Sequence, residues 1–191
     1  MFAPFLGILW CVPRVFVKAP SGRQRFNVLA ALPATSPELF TVTNLTYITA
    51  TTVCELLPVL AGAYPRVPLT VVLDNARYQR CALVQTLAAT LGIELLYLPP
   101  YSPNLNLIER LWKFVKKQCL YSKYYPDSPS FQHAIQDCLA KVPTHYQAAL
   151  ASFLTLRFQT FTTVPVVGDS SPTGLAPEIT QPVMEVLPMA A

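Results

Sequence analysis

Charge is scarce in this chain: 13% of its 191 residues are Asp, Glu, Lys or Arg, against 52% hydrophobic. That balance excludes a polyelectrolyte that stays unfolded along its length, and it predicts one domain with a real core. No C-x-x-C spacing occurs, and the cysteines, Cys11, Cys54, Cys81, Cys119 and Cys138, are odd in number. A zinc site or a disulfide framework is therefore not expected, and the thiols read as reduced and buried in a cytoplasmic protein. Neither a glycine-rich phosphate loop nor a nucleophile elbow is present, which removes P-loop and serine-hydrolase chemistry. No internal repeat occurs. No acid precedes Glu38. The apolar opening, MFAPFLGILWCVP, is interrupted by Pro4, Gly7 and Pro13 and ended by Arg14. It lacks a basic leader and falls short of the ~20 residues a spanning helix needs, so no membrane segment is expected. It reads as a buried strand.

What charge there is lies unevenly. Residues 1–163 hold all fourteen Lys and Arg against seven acids, and residues 164–191 hold Asp169, Glu178 and Glu185 with no base. The first part is moderately basic, consistent with an anionic partner. The second has prolines at 165, 172, 177, 182 and 188 and no amphipathic period. It is expected to be a disordered Pro-rich tail.

Strands are expected at 5–12, 14–18, 26–32 and 39–43, an antiparallel meander. A helix follows over 47–63, with Val53, Leu56, Leu57 and Leu60 on one face and Pro58 predicting a kink or early end. Leu69 to Leu73 and Ile93 to Leu98 are continuous apolar runs of the kind buried on both faces of a sheet. Between them a helix over 78–91 ends at Gly92, a C-cap glycine. Further helices are expected over 107–120, then with Phe131, Ile135 and Leu139 inward and Pro143 closing, then around Tyr146 to Leu154. Strands alternating with helices imply parallel pairing.

Asp74 ends the apolar run TVVLD, and Glu109 lies near the start of the 107–120 helix, thirty-four residues intervening. In a parallel sheet, sites lie outside the carboxyl ends of the strands. Two carboxylates there are hard oxygen ligands suited to Mg²⁺ or Mn²⁺, and paired metals activate water or a 3′-hydroxyl toward a phosphodiester. Arg110, Lys113, Lys116 and Lys117 share the polar face of the Glu109 helix and suit phosphates. Simpler roles stand beside these. Asp74-Asn75 is a common turn pair, Asn106 with Glu109 fits a capping pattern, and Glu109 with Lys113 is an i,i+4 ion pair. His133, His145 and Trp112 read as surface or packing residues, and Tyr101 and Ser102 as turn residues.

The segments LDNARYQR and LPPYSPNLNLIERLWKFVKK closely resemble the DDE transposases of the mariner superfamily, in particular its bacterial insertion-sequence branch. The resemblance implies that Asp74 is the second catalytic acid and Glu109 the third. Leu107 stands where that family usually has Pro. The implied fold is an RNase H-like mixed α/β sheet, an antiparallel meander plus parallel strands flanked by helices. The implied activity is metal-dependent DNA cleavage and strand transfer, using Mg²⁺ (or Mn²⁺) held by three acids. DNA, as transposon ends and target, is the implied partner, with homodimerisation and a bacterial nucleoid location. The family's first Asp sits on a first strand ahead of the meander. With no acid before Glu38, residues 1–163 are expected to be a truncated catalytic domain lacking that strand, with residues 164–191 the tail. Exposed apolar surface or a sheet gap should result. The alternative function is a non-catalytic transposase remnant that only binds nucleic acid.

Overall fold

Two runs of aliphatic residues frame the domain. In this computed structural model, which describes residues 10–16, 24–34, 36, 38–99, 105–153 and 183–190, NVLAALP forms β1 (Asn27–Pro33) and LTVVL forms β3 (Leu69–Leu73). Every residue of both strands is buried, as their lack of polar alternation predicts. β2 (Phe40–Asn44) pairs antiparallel with β1, Val28 opposite Thr43. β4 (Ile93–Tyr97) pairs parallel with β3, Leu69 beside Ile93 and Leu73 beside Tyr97. The domain is mixed α/β, and its sheet runs β2-β1-β5-β3-β4.

The central strand, β5 (Val183–Ala190), departs from the expected disordered tail. It runs antiparallel to β1, with Pro188 opposite Leu29 and Glu185 opposite Leu32. It runs parallel to β3, with Glu185 beside Val72 and Val186 beside Leu73. In this sheet β5 alone joins the antiparallel pair to the parallel pair. Pro188 hid the strand from sequence reading, because a residue with no N–H argues against a central position. Residues 164–182 and 191 lie outside the described residues.

The opening segment also departs. Residues 10–16 form no strand, and all are exposed, Trp10 at 97% and Phe16 at 86%. Pro13 withholds a ladder donor there, and β5 already holds the centre of the sheet. Trp10, Val12, Val15 and Phe16 are exposed apolar side chains. Residues 5–9, 17 and 18 lie outside the described residues.

Helices cover both faces. α1 (Ala50–Ala63) and α2 (Ala82–Thr90) pack in one core with Leu29, Ala31, Val71 and Leu73. α3 (Leu107–Val115), α4 (Ser128–Ala140) and α5 (Gln147–Phe153) enclose the other core with Val28, Ala30 and Leu32. Alternate residues of β1 thus enter opposite cores, the period-2 rule of a strand. Each fully buried Leu contributes roughly 1.5–3 kcal/mol relative to exposure, so Leu29 and Leu32 fasten the two layers to one strand.

Pro58 does not end α1, which continues to Ala63 with Leu56, Leu57 and Leu60 buried. After α2, Gly92 takes φ +69°, the left-handed conformation that a helix-terminating glycine supplies. β4 was expected to be buried on both faces. It lies at the sheet edge instead, with Ile93 buried and Leu96 52% exposed. The expected helix over 107–120 changes winding partway: 107–115 is α-helical and Lys116–Leu120 is a π-helical turn, closed by the Tyr121 N–H donating to the Lys116 carbonyl at 2.8 Å.

Candidate active site at the carboxyl edge of the parallel strands

Asp74 is the first residue beyond β3 and is half-buried. Its Oδ1 accepts from the Ala76 N–H at 3.3 Å, an Asx turn. Asn75 has φ +74°, a left-handed conformation that Asn tolerates better than most residues. A short 3-10 turn, Arg77–Gln79, then folds Gln79 back toward the acid. The Gln79 Oε1 accepts from Ala76 N–H at 3.2 Å. Its NH₂ faces Asp74 closely enough to favour the anion, but without hydrogen-bond geometry of its own. Burial pushes the Asp74 carboxyl above the ordinary Asp range, opposed by the Ala76 N–H, the Gln79 amide and its own N–H. Burial and the Asp74 charge both push the Tyr78 hydroxyl upward.

Glu109 is reached through the connection after β4. The Leu98 N–H donates to the Leu73 carbonyl at 2.8 Å, so this connection starts next to Asp74. At its far end Asn106 is buried and caps α3, its Oδ1 accepting from the Ile108 N–H at 3.0 Å. The capping role expected of Asn106 is therefore real. Glu109 sits half-buried in the first turn of α3, where the helix dipole favours negative charge. Among the described residues, Glu109 and Lys113 do not form the ion pair their spacing allows; Asp137 and Lys141 form one at 3.4 Å. Residues 100–104, with Tyr101 and Ser102, lie outside the described residues.

Parallel pairing thus sets Asp74 at the edge from which the chain departs toward Glu109. No described contact joins the two carboxylates. Among the described residues, no group of three or more His, Cys, Asp and Glu could hold a metal ion. The donors near Asp74 nevertheless fit a hard cation. Asn75 Oδ1 is a buried oxygen without a partner among the described residues, and Asp74 is a partly desolvated anion.

Lys113 and Lys117 are exposed, and Arg110 and Lys116 are partly so. Trp112 is core, at 3% exposure. His133 and His145 are exposed, His145 edge-on to Tyr146 with ring centroids 5.6 Å apart. Cys119 and Cys138 are buried, the Cys119 thiol donating to the Val115 carbonyl at 3.1 Å, and all five thiols are free, with Cys54 and Cys81 only partly buried and Cys11 exposed.

Sequence reasoning passed over Gln79 and Tyr97. Gln79 is fully buried, and its carbonyl accepts from the Tyr97 hydroxyl at 3.1 Å. The Arg80 guanidinium stacks 5.0 Å from the centre of the Tyr97 ring. These contacts fasten the turn after Asp74 to the end of β4. Nothing in the polar run ARYQR marks Gln79 as the buried member, because its burial comes from the neighbouring strand.

A mixed α/β domain with one acid after a parallel strand and another in the helix after the next is the class these features define. Residues 13–132 match the family described as DDE superfamily endonuclease, and the chain belongs to it. That superfamily generally uses divalent metals. No curated protein matches the chain. Among the solved structures similar to it are two transposase complexes. The Mos1 transposase paired-end complex with left transposon end has 16% identity and TM-score 0.48, with 74% of this chain and 47% of that one covered. The Mos1 strand transfer complex has 15% identity and TM-score 0.44, with 80% and 50% covered. The chain spans about half the length of these structures.

Proposed function

We propose that this chain is the catalytic domain of a DDE transposase of the mariner superfamily, bacterial insertion-sequence branch, with an RNase H-like fold over residues 1–163. It cuts DNA phosphodiesters in transposition. Asp74 and Glu109 hold Mg²⁺ or Mn²⁺, and Arg110, Lys113, Lys116 and Lys117 engage phosphates of transposon-end and target DNA. The observation that carries this reading is the parallel β3–β4 pair, with Asp74 directly after one strand and Glu109 in the first turn of the helix after the other. The chain works as a homodimer in the bacterial cytoplasm, at the nucleoid when bound to DNA.

In the reaction, water or a 3′-hydroxyl forms a new bond to phosphorus while the bond to the leaving 3′-oxygen breaks. The attacking oxygen loses a proton and the leaving oxygen gains one. Bound metal supplies a lowered pKa for the attacking oxygen and charge neutralisation for the leaving one. Asp74 contributes a carboxylate that the Ala76 N–H holds in place. Gln79 braces the turn that carries it. The Asn106 cap sets where Glu109 begins its helix.

The test is Mg²⁺- or Mn²⁺-dependent nicking of plasmid by the chain. Asp74→Ala and Glu109→Ala should each lower the rate at least 100-fold. Nicking that survives both changes would overturn the assignment. One observation favours the second reading, a remnant that only binds nucleic acid: no acid group of three or more assembles among the described residues. DNA retention without nicking by the unaltered chain would select it.

A further inference from the structure

Residues 24–26, ahead of β1, and 45–47, after β2, stand at the same end of the sheet as Asp74. Leu73 pairs with Val186 of β5, and Asn27 pairs with Ala190, further along the same strand toward that end. Asn44, the last residue of β2, lies opposite Asn27. β1 is two strands from β3, about 10 Å across at ordinary sheet spacing. The edge that carries Asp74 thus continues to the 45–47 loop.

Asparagine side chains fix that loop. Buried Asn27 donates from Nδ2 to Asn44 Oδ1 at 2.9 Å and to the Thr46 carbonyl at 3.0 Å. Asn44 donates from Nδ2 to the Tyr47 carbonyl at 3.0 Å, and its Oδ1 accepts from the Thr46 N–H at 3.3 Å. A loop braced in this way is organised before any partner arrives. What it presents is apolar: Leu45 and Tyr47 are 60% and 62% exposed. The Arg25 guanidinium, also exposed, lies over the Tyr47 ring, 4.2 Å from its centre. Among the described residues no carboxylate pairs with Arg25. With Gln24 and the first turn of α4, these side chains line an open cleft of about 530 Å³.

The fold does not use this stack. The other Arg-on-Tyr pair, Arg80 on Tyr97, is structural, since the half-buried Tyr97 gives its hydroxyl to the Gln79 carbonyl. Tyr47 belongs to neither core. Nor does the cleft suit a phosphate. The N-terminus of α4 is already capped by the Asp127 carboxylate, which accepts from the Ser130 N–H at 2.8 Å and adds a negative charge there. What remains is a flat surface, ring and guanidinium plane beside Leu45, with the Gln24 and Gln132 amides at its rim. Bases of single strands are held on such surfaces, stacked on aromatic rings or guanidinium planes and hydrogen-bonded along their edges.

We propose that the Arg25–Tyr47 cleft stacks an unpaired nucleobase of the DNA strand that runs along this edge from the Asp74 site. This rests on the reading of that site as a DNA-cleaving centre. It adds a contact with bases to the phosphate contacts of α3. Paired bases cannot enter, so the cleft selects DNA that carries unpaired nucleotides near the cut.

The experiment is a fluorescence-anisotropy titration of the full chain against two labelled single strands of equal length. One is oligothymidylate. The other is a strand of abasic sites, which keeps every phosphate. Tyr47→Ala should weaken oligothymidylate binding about five-fold or more and leave the abasic strand unchanged. Tyr47→Phe, which keeps the ring, should bind both as the unaltered chain does. Equal weakening on both strands, or none on either, would overturn the proposal. A cleft that served a second copy would show as self-association lost in Tyr47→Ala with oligothymidylate affinity unchanged, which also overturns it. Should Tyr47→Ala melt lower than the unaltered protein, Tyr47→Leu decides: apolar but not flat, it should bind oligothymidylate as weakly. Plasmid nicking separates this proposal from the reading beneath it. Nicking abolished by Asp74→Ala, with oligothymidylate binding indifferent to Tyr47, overturns the cleft alone. Nicking that ignores Asp74→Ala overturns the site, and with it the strand this cleft is to serve.

Discussion

Leu98 donates its N–H to the carbonyl of Leu73 at 2.8 Å, one residue before Asp74. The bond extends the β3–β4 ladder past the last paired residues, Leu73 and Tyr97. It fixes where the chain toward Glu109 begins. Leu98→Pro removes the donor and leaves the Leu73 carbonyl unpaired, a loss of about 1–3 kcal/mol. Each kcal/mol corresponds to roughly 2–4 °C in Tm for a chain of this size. A thermal melt of the variant that matches the unaltered protein would show that the bond does not hold the edge together.

Asp74 carries a stability cost of its own. Burial raises its carboxyl pKa in the folded state, so the folded protein binds that proton more tightly than the unfolded chain. The contribution from this group is full below the unfolded value of about 3.9 and is lost as pH rises through the higher folded value. Asp74→Asn keeps an Oδ1 for the Ala76 N–H and removes the charge. It should melt higher than the unaltered protein at pH 7. The difference should vanish below about pH 4. Melting curves from pH 3 to 8 test both halves, and a lower Tm for the variant at pH 7 would contradict the desolvation account.

The basic helix offers an electrostatic test. Lys113, Lys116 and Lys117 each release about 0.9 counterion if they contact duplex phosphate. The triple Ala variant should reduce the slope of log K against log salt by roughly 2–3, nearly independent of DNA sequence. Fluorescence anisotropy on duplex DNA at 50–200 mM salt measures it. An unchanged slope would place the DNA surface elsewhere.

β5 makes the strongest structural prediction. Removing residues 183–191 deletes the strand that joins the two halves of the sheet and opens an inner edge on β1 and another on β3. The shortened chain should lose its cooperative melt and aggregate. Retention of a single sharp transition at unchanged Tm would mean that the strand is dispensable.

Much of the frame was legible because local signals agreed with the tertiary ones. LTVVL reads as a doubly buried strand and is one, and Gly92 marks the end of α2 through its own backbone. Asn106 announced a cap and is one. Where the reading failed, distant partners decided. Pro188 argued against a strand, yet two long neighbours hold that segment in the sheet. The apolar opening argued for a strand, yet residues 10–16 have no place in the sheet. β4 looked buried on both faces and lies at the edge, since an apolar run does not say which side has a neighbour. At the site, Asp74 and Glu109 stood out as acids flanking apolar runs, whereas Gln79 owes its buried position to Tyr97, eighteen residues on.

The register of β5 also dictates when this protein can mature. Val28 pairs with Met189, so the two partners leave the ribosome far apart in time. A ribosome must finish residue 190 before the sheet can assemble, and until then the earlier strands emerge without their shared neighbour. Contacts of such long sequence separation form slowly, and a nascent chain in that interval is a natural client for chaperones.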